Sequence, residues 1–482
     1  MRKISVTILL ILLILLSFQA FTQVNKTIYD QLQKPAEVVY YHVPVGLCED
    51  YPEETTTMDI IKKDFEFLKQ NQVKFMRISF GWDAIEQEKD KYDWLFWDDF
   101  VRMAVDDYGI TLIPYICYTP QWISSGANDI MNFWSYPPLD YEQFGLFMKA
   151  LVGRYKGRIK TWELWNEPDI SIYWKGSTAD FAKLTKIGAK AVREADPEAK
   201  VVLAGIAYNP SFILELFRDH GVSPYVDIVN MHNYYETWHR HPVESIVEYV
   251  NEVYEVVWRY GDGQSLWMAE VGYSTFRQGS TVSSSYSAYY DYEHTPAYQA
   301  VDLFKRLSLV ASTEKIAAIA WYELKDLPPA EEVIGDEYNN RYLGVAYIDH
   351  SPKPATKALV FFNSLFSGKY KNISNEVIVE RTIDSDSHCL IFENENGSVI
   401  IVSWLQTNVP GHNPLDKDGA ARDQRRENLK LRIPRKLQGK ATIYNELGEG
   451  WKYDKVKTKK DVINLDELSL EGGKISIIKI EK

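Results

Sequence analysis

Eight short apolar runs, separated by amphipathic stretches, constrain this chain more than any other feature of its sequence. The runs are Val38–Val45, Phe75–Phe80, Thr111–Cys117, Ile159–Trp165, Val201–Ile206, Val226–His232, Leu266–Glu270 and Ile316–Tyr322. They are rich in β-branched and aromatic residues and too short for buried helices. Between them lie segments with apolar residues at helical spacing, among them Met58–Gln70, Tyr141–Arg154, Thr178–Glu194, Val243–Tyr260 and Ala297–Ser312. Tyr108-Gly109 and His220-Gly221 set a glycine just past a helix end. Strands written as near-continuous apolar runs are buried on both faces, as a parallel sheet under helices demands. Eight successive βα units predict an α/β chain closed into a (β/α)8 TIM barrel over residues 36–368.

From Ser374 the pattern changes to short strands with period-2 alternation: Val377–Thr382, Cys389–Glu393, Val399–Trp404, Leu429–Ile433, Ala441–Tyr444 and Ile475–Ile480. Turn signals such as Glu395-Asn396-Gly397 separate them, predicting a C-terminal β-sandwich domain over residues 374–482. The junction Phe366–Asn375 holds no flexible linker, so the sandwich is expected to pack on the barrel. The polar insert Thr407–Arg425 reads as a loop, as do Gly272–Tyr298 and Pro328–Tyr342, which follow strands seven and eight and are expected at the active face. At the other end, Arg2 and Lys3 precede the apolar Val6–Leu16, and Ala20-Phe21-Thr22 offers a cleavage site. Residues 1–22 thus read as a signal peptide. A secreted or periplasmic protein is expected, with no integral membrane segment after cleavage. Cys48, Cys117 and Cys389 are read as buried thiols without metal-ligand spacing. A net charge of −13 argues against nucleic acid as a partner. A monomer is expected.

Two of the runs deliver a glutamate at or just past their C-terminal ends: Trp162-Glu163-Leu164-Trp165-Asn166-Glu167-Pro168-Asp169 and Leu266-Trp267-Met268-Ala269-Glu270. Barrel enzymes place their chemistry at the C-terminal ends of the strands. Strands four and seven stand on opposite sides of the rim, so Glu167 and Glu270 can flank one bond. Two facing carboxylates are the minimal machinery for breaking a glycosidic bond, and the substrate is read as a carbohydrate. Glu167, beside Trp165 and a second carboxylate, is expected to have a raised pKa and to act as general acid, with Glu270 the nucleophile. The 14 Trp and 32 Tyr serve barrel packing, sugar stacking or both. Trp82, Tyr118, Trp122 and Trp174 each follow a strand end and either stack sugars or cover barrel hydrophobes. Asp326 and Glu323 could bind sugar hydroxyls, and Glu163 fits an ion pair with a barrel arginine. No cofactor or metal is called for. The histidines show no three-ligand spacing, and there is no Gly-rich phosphate cradle.

Over Val38–Phe362 the chain resembles clan A of the glycoside hydrolases, and its layout is closest to family 39 and relatives. The residues carrying the resemblance are Trp165-Asn166-Glu167-Pro168, Ala269-Glu270, Arg77 on strand two, His232-Asn233-Tyr234 on strand six and Trp321 on strand eight. It implies a retaining enzyme with the acid/base on strand four and the nucleophile on strand seven. Asn166 would then hydrogen-bond the sugar 2-hydroxyl, and Arg77 would keep Glu270 ionised. Tyr234 would donate to Glu270, His232 would sit beside the carboxylates, and Trp321 would floor the sugar site. The expected function is an exported retaining β-glycosidase. The alternatives are a transglycosylase on the same glutamates and a non-catalytic glycan-binding barrel.

Overall fold

The computed structural model describes residues 39–52, 56–239, 241–277, 293–329, 333–381, 386–406, 425–435, 439–459 and 462–482. The signal-peptide reading lies outside these residues, as do most of the Thr407–Arg425 insert and the middle of the loop after strand seven. Tyr41–Lys482 form one compact unit.

Eight parallel strands close in chain order into a barrel: β1 Val45–Glu49, β2 Phe75–Gly81, β3 Thr111–Cys117, β4 Thr161–Asn166, β5 Lys200–Ile206, β6 Ile228–Asn233, β7 Ser265–Val271 and β8 Ile316–Trp321. The first strand is not the run Val38–Val45 that the sequence suggests. Proline has no N–H for the ladder, so pairing begins only after Pro44. Upstream of it, Tyr41 makes a separate bridge to Tyr370. The predicted helices form within a few residues of their expected bounds, and Gly109 and Gly221 take left-handed φ of 67° and 57°. Helices at Leu95–Val101, Pro210–Arg218 and Pro354–Leu365 join them. The Pro210–Arg218 helix starts on an Asn209 cap whose side chain accepts from the Ser211 N–H.

Strand parity decides what reaches the barrel interior. Cys48, Phe75, Ile113, Ala269, Ala318 and Ala320 cluster there, with Trp267 and Tyr322 against them. Their neighbours Leu47, Met76, Leu112, Met268, Ile319 and Trp321 belong instead to the large core under the helices. In β7 the count is reset. Asn230 pairs with Trp267 but His232 pairs with Glu270, so β7 carries one extra residue opposite β6. This bulge turns Glu270 inward and leaves Val271 in the outer core.

The C-terminal region holds two antiparallel sheets. One has the order β10-β13-β17-β16 and the other β15-β14-β18-β12-β11-β9. Their strands are β9 Tyr370–Asn372, β10 Ile378–Glu380, β11 Ser387–Asn394, β12 Val399–Leu405, β13 Arg426–Ile433, β14 Ala441–Tyr444, β15 Gly450–Lys452, β16 Val456–Lys459, β17 Val462–Glu471 and β18 Ile475–Ile480. β17 escapes period-2 counting for a physical reason. Its core residues are Ile463, Leu465, Leu468 and Leu470, and the three-residue step falls where its pairing with β13 slips at Leu429/Leu431.

Barrel and sandwich share one core. Tyr370, Phe392, Ile400, Val402, Trp404, Ile475 and Ile477 belong to the same buried cluster as the barrel helices. Between the two halves lies the helix Pro296–Ser312, buried on every face from Tyr298 to Ala311. Within it Arg306 and Asp302 pair at 3.0 Å, and Lys305 lies over the Tyr298 and Trp404 rings. Trp404 is fully buried, and its Nε1 donates to Glu244 Oε1 at 2.7 Å across the junction. Trp404→Ala is therefore expected to lower unfolding stability by about 3–5 kcal/mol, the range for truncating a buried aromatic. A chain ending at Phe366 should aggregate. A Trp404→Ala loss below about 1 kcal/mol in denaturant melts would contradict the shared core.

Candidate active site

The C-terminal mouth of the barrel opens into a cavity of about 640 Å³. Its walls include Asp50, Ser79, Tyr118, Asn166, Glu167, Tyr173, Tyr208, Tyr234, Glu270 and Tyr322. Beneath it lies Arg77, fully buried on β2. Its Nε and Nη2 donate to the two oxygens of Glu163 at 2.8 and 3.0 Å. Nη2 also donates to Asn166 Oδ1 at 2.9 Å, and Nη1 to Glu270 Oε2 at 2.7 Å. The guanidinium stacks 4.1 Å from the Tyr115 ring. Because Asn166 Oδ1 accepts from Arg77, its NH2 is the end left to face a ligand.

Glu163 also accepts from Gly205 N and Asn230 Nδ2, both at 2.9 Å. Burial works against its ionisation, but Arg77 and these donors hold it below the ordinary carboxylate range. Asn230 Oδ1 takes the backbone N–H of Met231 and of Ala269, which fixes the amide's orientation. Its NH2 then faces His232 Nε2 at 3.4 Å. That nitrogen is the acceptor, so His232 carries its proton on Nδ1 and donates to Glu167 Oε1 at 2.8 Å. Burial lowers the His232 pKa and keeps the ring neutral. A Cβ on Gly205 would fall 2.0 Å from His232 Nε2, so the ring's place depends on that glycine.

Glu167 follows β4 through two left-handed residues, with φ of 88° at Trp165 and 41° at Glu167 itself. Such non-glycine positions cost on the order of 1–3 kcal/mol each and cluster at functional sites. Burial pushes the Glu167 carboxyl up to about 8, with Asp169 adding to the shift and Arg77 opposing it. Glu270 accepts from Tyr234 Oη at 2.7 Å as well as from Arg77. Burial raises its pKa too, while Arg77 and the Tyr234 hydrogen bond pull it back. Arg77 thus acts in the expected direction on Glu270, against a larger effect of burial.

Carboxylate oxygens of Glu167 and Glu270 and a ring nitrogen of His232 all lie within 4.8 Å of one another. The sequence spacing of the histidines does not reveal this cluster, which has the reach of three metal ligands. Its chemistry is that of a proton-sharing group instead. Glu270 already accepts a guanidinium proton, and His232 Nδ1 is directed at Glu167. The two carboxyls therefore approach within 4.8 Å at one oxygen of each.

Several sequence-predicted residues lie elsewhere. Trp82 is buried against Phe144 and Phe147, with Nε1 donating to Glu86 at 2.7 Å. Half-buried Trp122 donates to the Glu86 carbonyl at 2.8 Å, and Trp174 packs on Trp165. Asp326 forms an ion pair with Lys353 at 2.6 Å, and burial raises its pKa to about 6. Glu323 is fully buried, and neither of its oxygens has a hydrogen-bond partner among the described residues. Trp321 does not floor the cavity. Its parity sends it outward under the helices, and Tyr322, one residue on, lines the cavity instead. Asp50 and Tyr173 line it as well and were not singled out from sequence. Counting two residues on from an interior cysteine, Cys48, would have found Asp50 had β1 been placed after Pro44. All three cysteines are free thiols, Cys389 only half-buried.

An eight-stranded barrel with paired glutamates at the ends of β4 and β7, over a buried arginine, is the arrangement of the clan A glycoside hydrolases. The chain belongs to glycosyl hydrolases family 39, whose sequence model matches residues 39–449. It is 22% identical to a β-xylosidase of Geobacillus stearothermophilus over 336 residues, 63% of this chain and 61% of that one. Over 140 residues it is 28% identical to a β-xylosidase of Caldicellulosiruptor saccharolyticus, covering 26% of this chain and 28% of that protein. The chain thus spans less than two thirds of either relative. A family 39 glycoside hydrolase from the gut symbiont Bacteroides cellulosilyticus WH2 shares the fold. Its TM-score is 0.62 at 16% identity, covering 91% of this chain and 81% of that one.

Gly205→Ala should move the His232 ring off Glu167 and destabilise the protein by about 1–3 kcal/mol, as overpacking does. A crystal structure of the variant with the 2.8 Å His232–Glu167 contact intact would contradict this.

Proposed function

We propose that the protein is an exported retaining β-glycosidase acting by double displacement, with Glu167 as acid/base and Glu270 as nucleophile. The observation that carries this reading is the unequal environment of two closely approaching carboxyls. Glu270 accepts from Arg77 and Tyr234, which favour its ionised form. Among the described residues Glu167 has a single side-chain donor, a neutral imidazole, and burial pushes it up to about 8. At neutral pH the proton therefore resides on Glu167, facing a deprotonated Glu270.

In the first step Glu270 attacks the anomeric carbon while Glu167 protonates the leaving oxygen. In the second, Glu167 takes a proton from water, which attacks the glycosyl-enzyme and restores the configuration. His232 holds Oε1 of Glu167, leaving Oε2 to carry the proton. The free NH2 of Asn166 is placed to bond the sugar 2-hydroxyl, an interaction that strengthens in the transition state. The family members it resembles are β-xylosidases, so β-xylosides are the first substrates to offer. The charged start and apolar run of residues 1–22 support export, and no helix among the described residues is long and apolar enough to cross a membrane.

Glu270→Ala should abolish turnover. Glu167→Ala should spare aryl glycosides with good leaving groups and, with azide, form a β-glycosyl azide. The opposite pattern would exchange the two roles. The pH profile follows with definite signs. Activity falls as pH rises through the pKa of Glu167, because the acid loses its proton. It falls on the acid side as Glu270 gains one. Arg77→Met removes a charge that lowers the Glu270 pKa, so the acid limb should move to higher pH. An unmoved acid limb would remove Arg77 from the nucleophile's control.

A further inference from the structure

Asp50 stands one residue beyond β1, in step with the interior-facing Cys48, and its half-buried carboxylate lines the cavity. Three neutral groups hold it in place. Tyr115 Oη donates to Oδ1 at 2.7 Å, and Ser79 N donates to the same oxygen at 3.3 Å. Tyr322 Oη donates to Oδ2 at 3.3 Å. Each of these donors comes from a different strand or strand end, so the carboxylate is oriented from three sides. Oδ1 is occupied by two donors, while Oδ2 has one long contact and capacity for more.

Its position relative to the two glutamates is informative. Tyr322 N donates to Val271 O at 2.7 Å, placing Asp50's own partner beside the strand that carries Glu270. Glu167 approaches from β4, with His232 of β6 behind it. If Glu167 protonates the leaving oxygen, the departing group lies toward β4 to β6. The sugar whose anomeric carbon meets Glu270 lies toward β8, β1 and β2, where Asp50 stands. A fixed carboxylate there makes charge-assisted hydrogen bonds with ring hydroxyls, and it repels a second carboxylate. Asp83 lines the same side of the cavity.

We infer that Asp50 is a specificity-determining residue that accepts from hydroxyls of the sugar bound over Glu270, so that the site takes neutral glycosides and rejects uronides. The inference rests on the glycosidase reading above. It assigns a residue outside the pair of glutamates and a chemical class to the sugar they act on.

The test uses the full-length protein and a panel of p-nitrophenyl glycosides: β-xyloside, β-glucoside, β-galactoside, β-mannoside and β-glucuronide. The best neutral substrate is then taken as its monodeoxy analogues. Wild type should favour the neutral glycoside over the glucuronide. Asp50→Ala and Asp50→Asn should each lower kcat/KM for the neutral substrate by about 100-fold, the scale of a lost charged hydrogen bond in a closed site. Both should narrow its advantage over the glucuronide. One deoxy analogue should lose a similar factor with wild type and little more with Asp50→Ala, a non-additivity that a purely structural role would not produce. Thermal melts of both variants check that the fold is kept, and Asp50→Asn preserves the packing if alanine does not. Glucuronide as the best substrate would overturn the inference. So would full additivity across every deoxy analogue, or an active wild type whose two variants stay within about threefold of it. A wild type inactive on the whole panel would overturn it together with the reading on which it rests.

Discussion

The guanidinium of Arg77 is the contact on which the site depends. It lies in the barrel's interior with no access to water, where an unpaired cation would be severely destabilising. Its hydrogen bonds reach Glu163 and Asn166 on β4 and Glu270 on β7, and its flat face rests on Tyr115 of β3. One planar group thereby fixes the relative positions of side chains from four strands, Arg77's own included. Lysine has neither the fork nor the flat face and would not reproduce this. The second carboxylate, Glu163, matters because one cation shared between two carboxylates cannot neutralise both fully. Glu163 takes the bidentate contact and is held ionised, leaving Glu270 a single bond from Nη1. The nucleophile of the proposed mechanism is thus held as an anion by one charged contact rather than two.

The same network reaches the other glutamate by a different route. Asn230 links Glu163 to His232, and its carbonyl oxygen is held by two backbone N–H groups. This rigid amide sets the histidine tautomer, and the tautomer sets which oxygen of Glu167 remains open. Along this path charge gives way to neutral dipoles: Arg77 with Glu163, then Asn230, then a neutral ring. The proton affinity of the two glutamates follows that gradient. Burial raises both; the Asp169 charge adds to the rise at Glu167, while Arg77 and the Tyr234 hydrogen bond pull Glu270 back.

Support from behind the barrel comes from the sandwich. The helix Pro296–Ser312 is buried on every side from Tyr298 to Ala311, which a barrel's outer helix facing water could not be. Arg306 on this helix also donates to Asn233 Oδ1 at 2.6 Å and to the Tyr235 carbonyl at 2.9 Å. These residues flank Tyr234, the donor to Glu270. The buried helix therefore ties the end of β6 to the surface on which Trp404 and its neighbours pack. This makes the sandwich part of the barrel's core rather than an appended module.

How much of this could be read beforehand depends on the period being counted. Helices and buried parallel strands announce themselves by runs and spacing, so the barrel and both glutamates were legible in the sequence. The failures are errors of parity. A proline at position 44 moves the first strand downstream and with it the interior position of Asp50. On strand eight, one step separates Trp321, sent outward, from Tyr322, sent into the cavity, and aromatic identity alone favours the wrong one. For Trp82 and Trp174 the sequence leaves stacking and packing open, and the structure packs both in the core. On strand seven the bulge inserts a residue that no local pattern marks. Strict alternation would have pointed Ala269 and Val271 inward and hidden Glu270 among the helices. A glutamate is costly to bury there, so the position of its charge argues for the bulge where the periodicity does not.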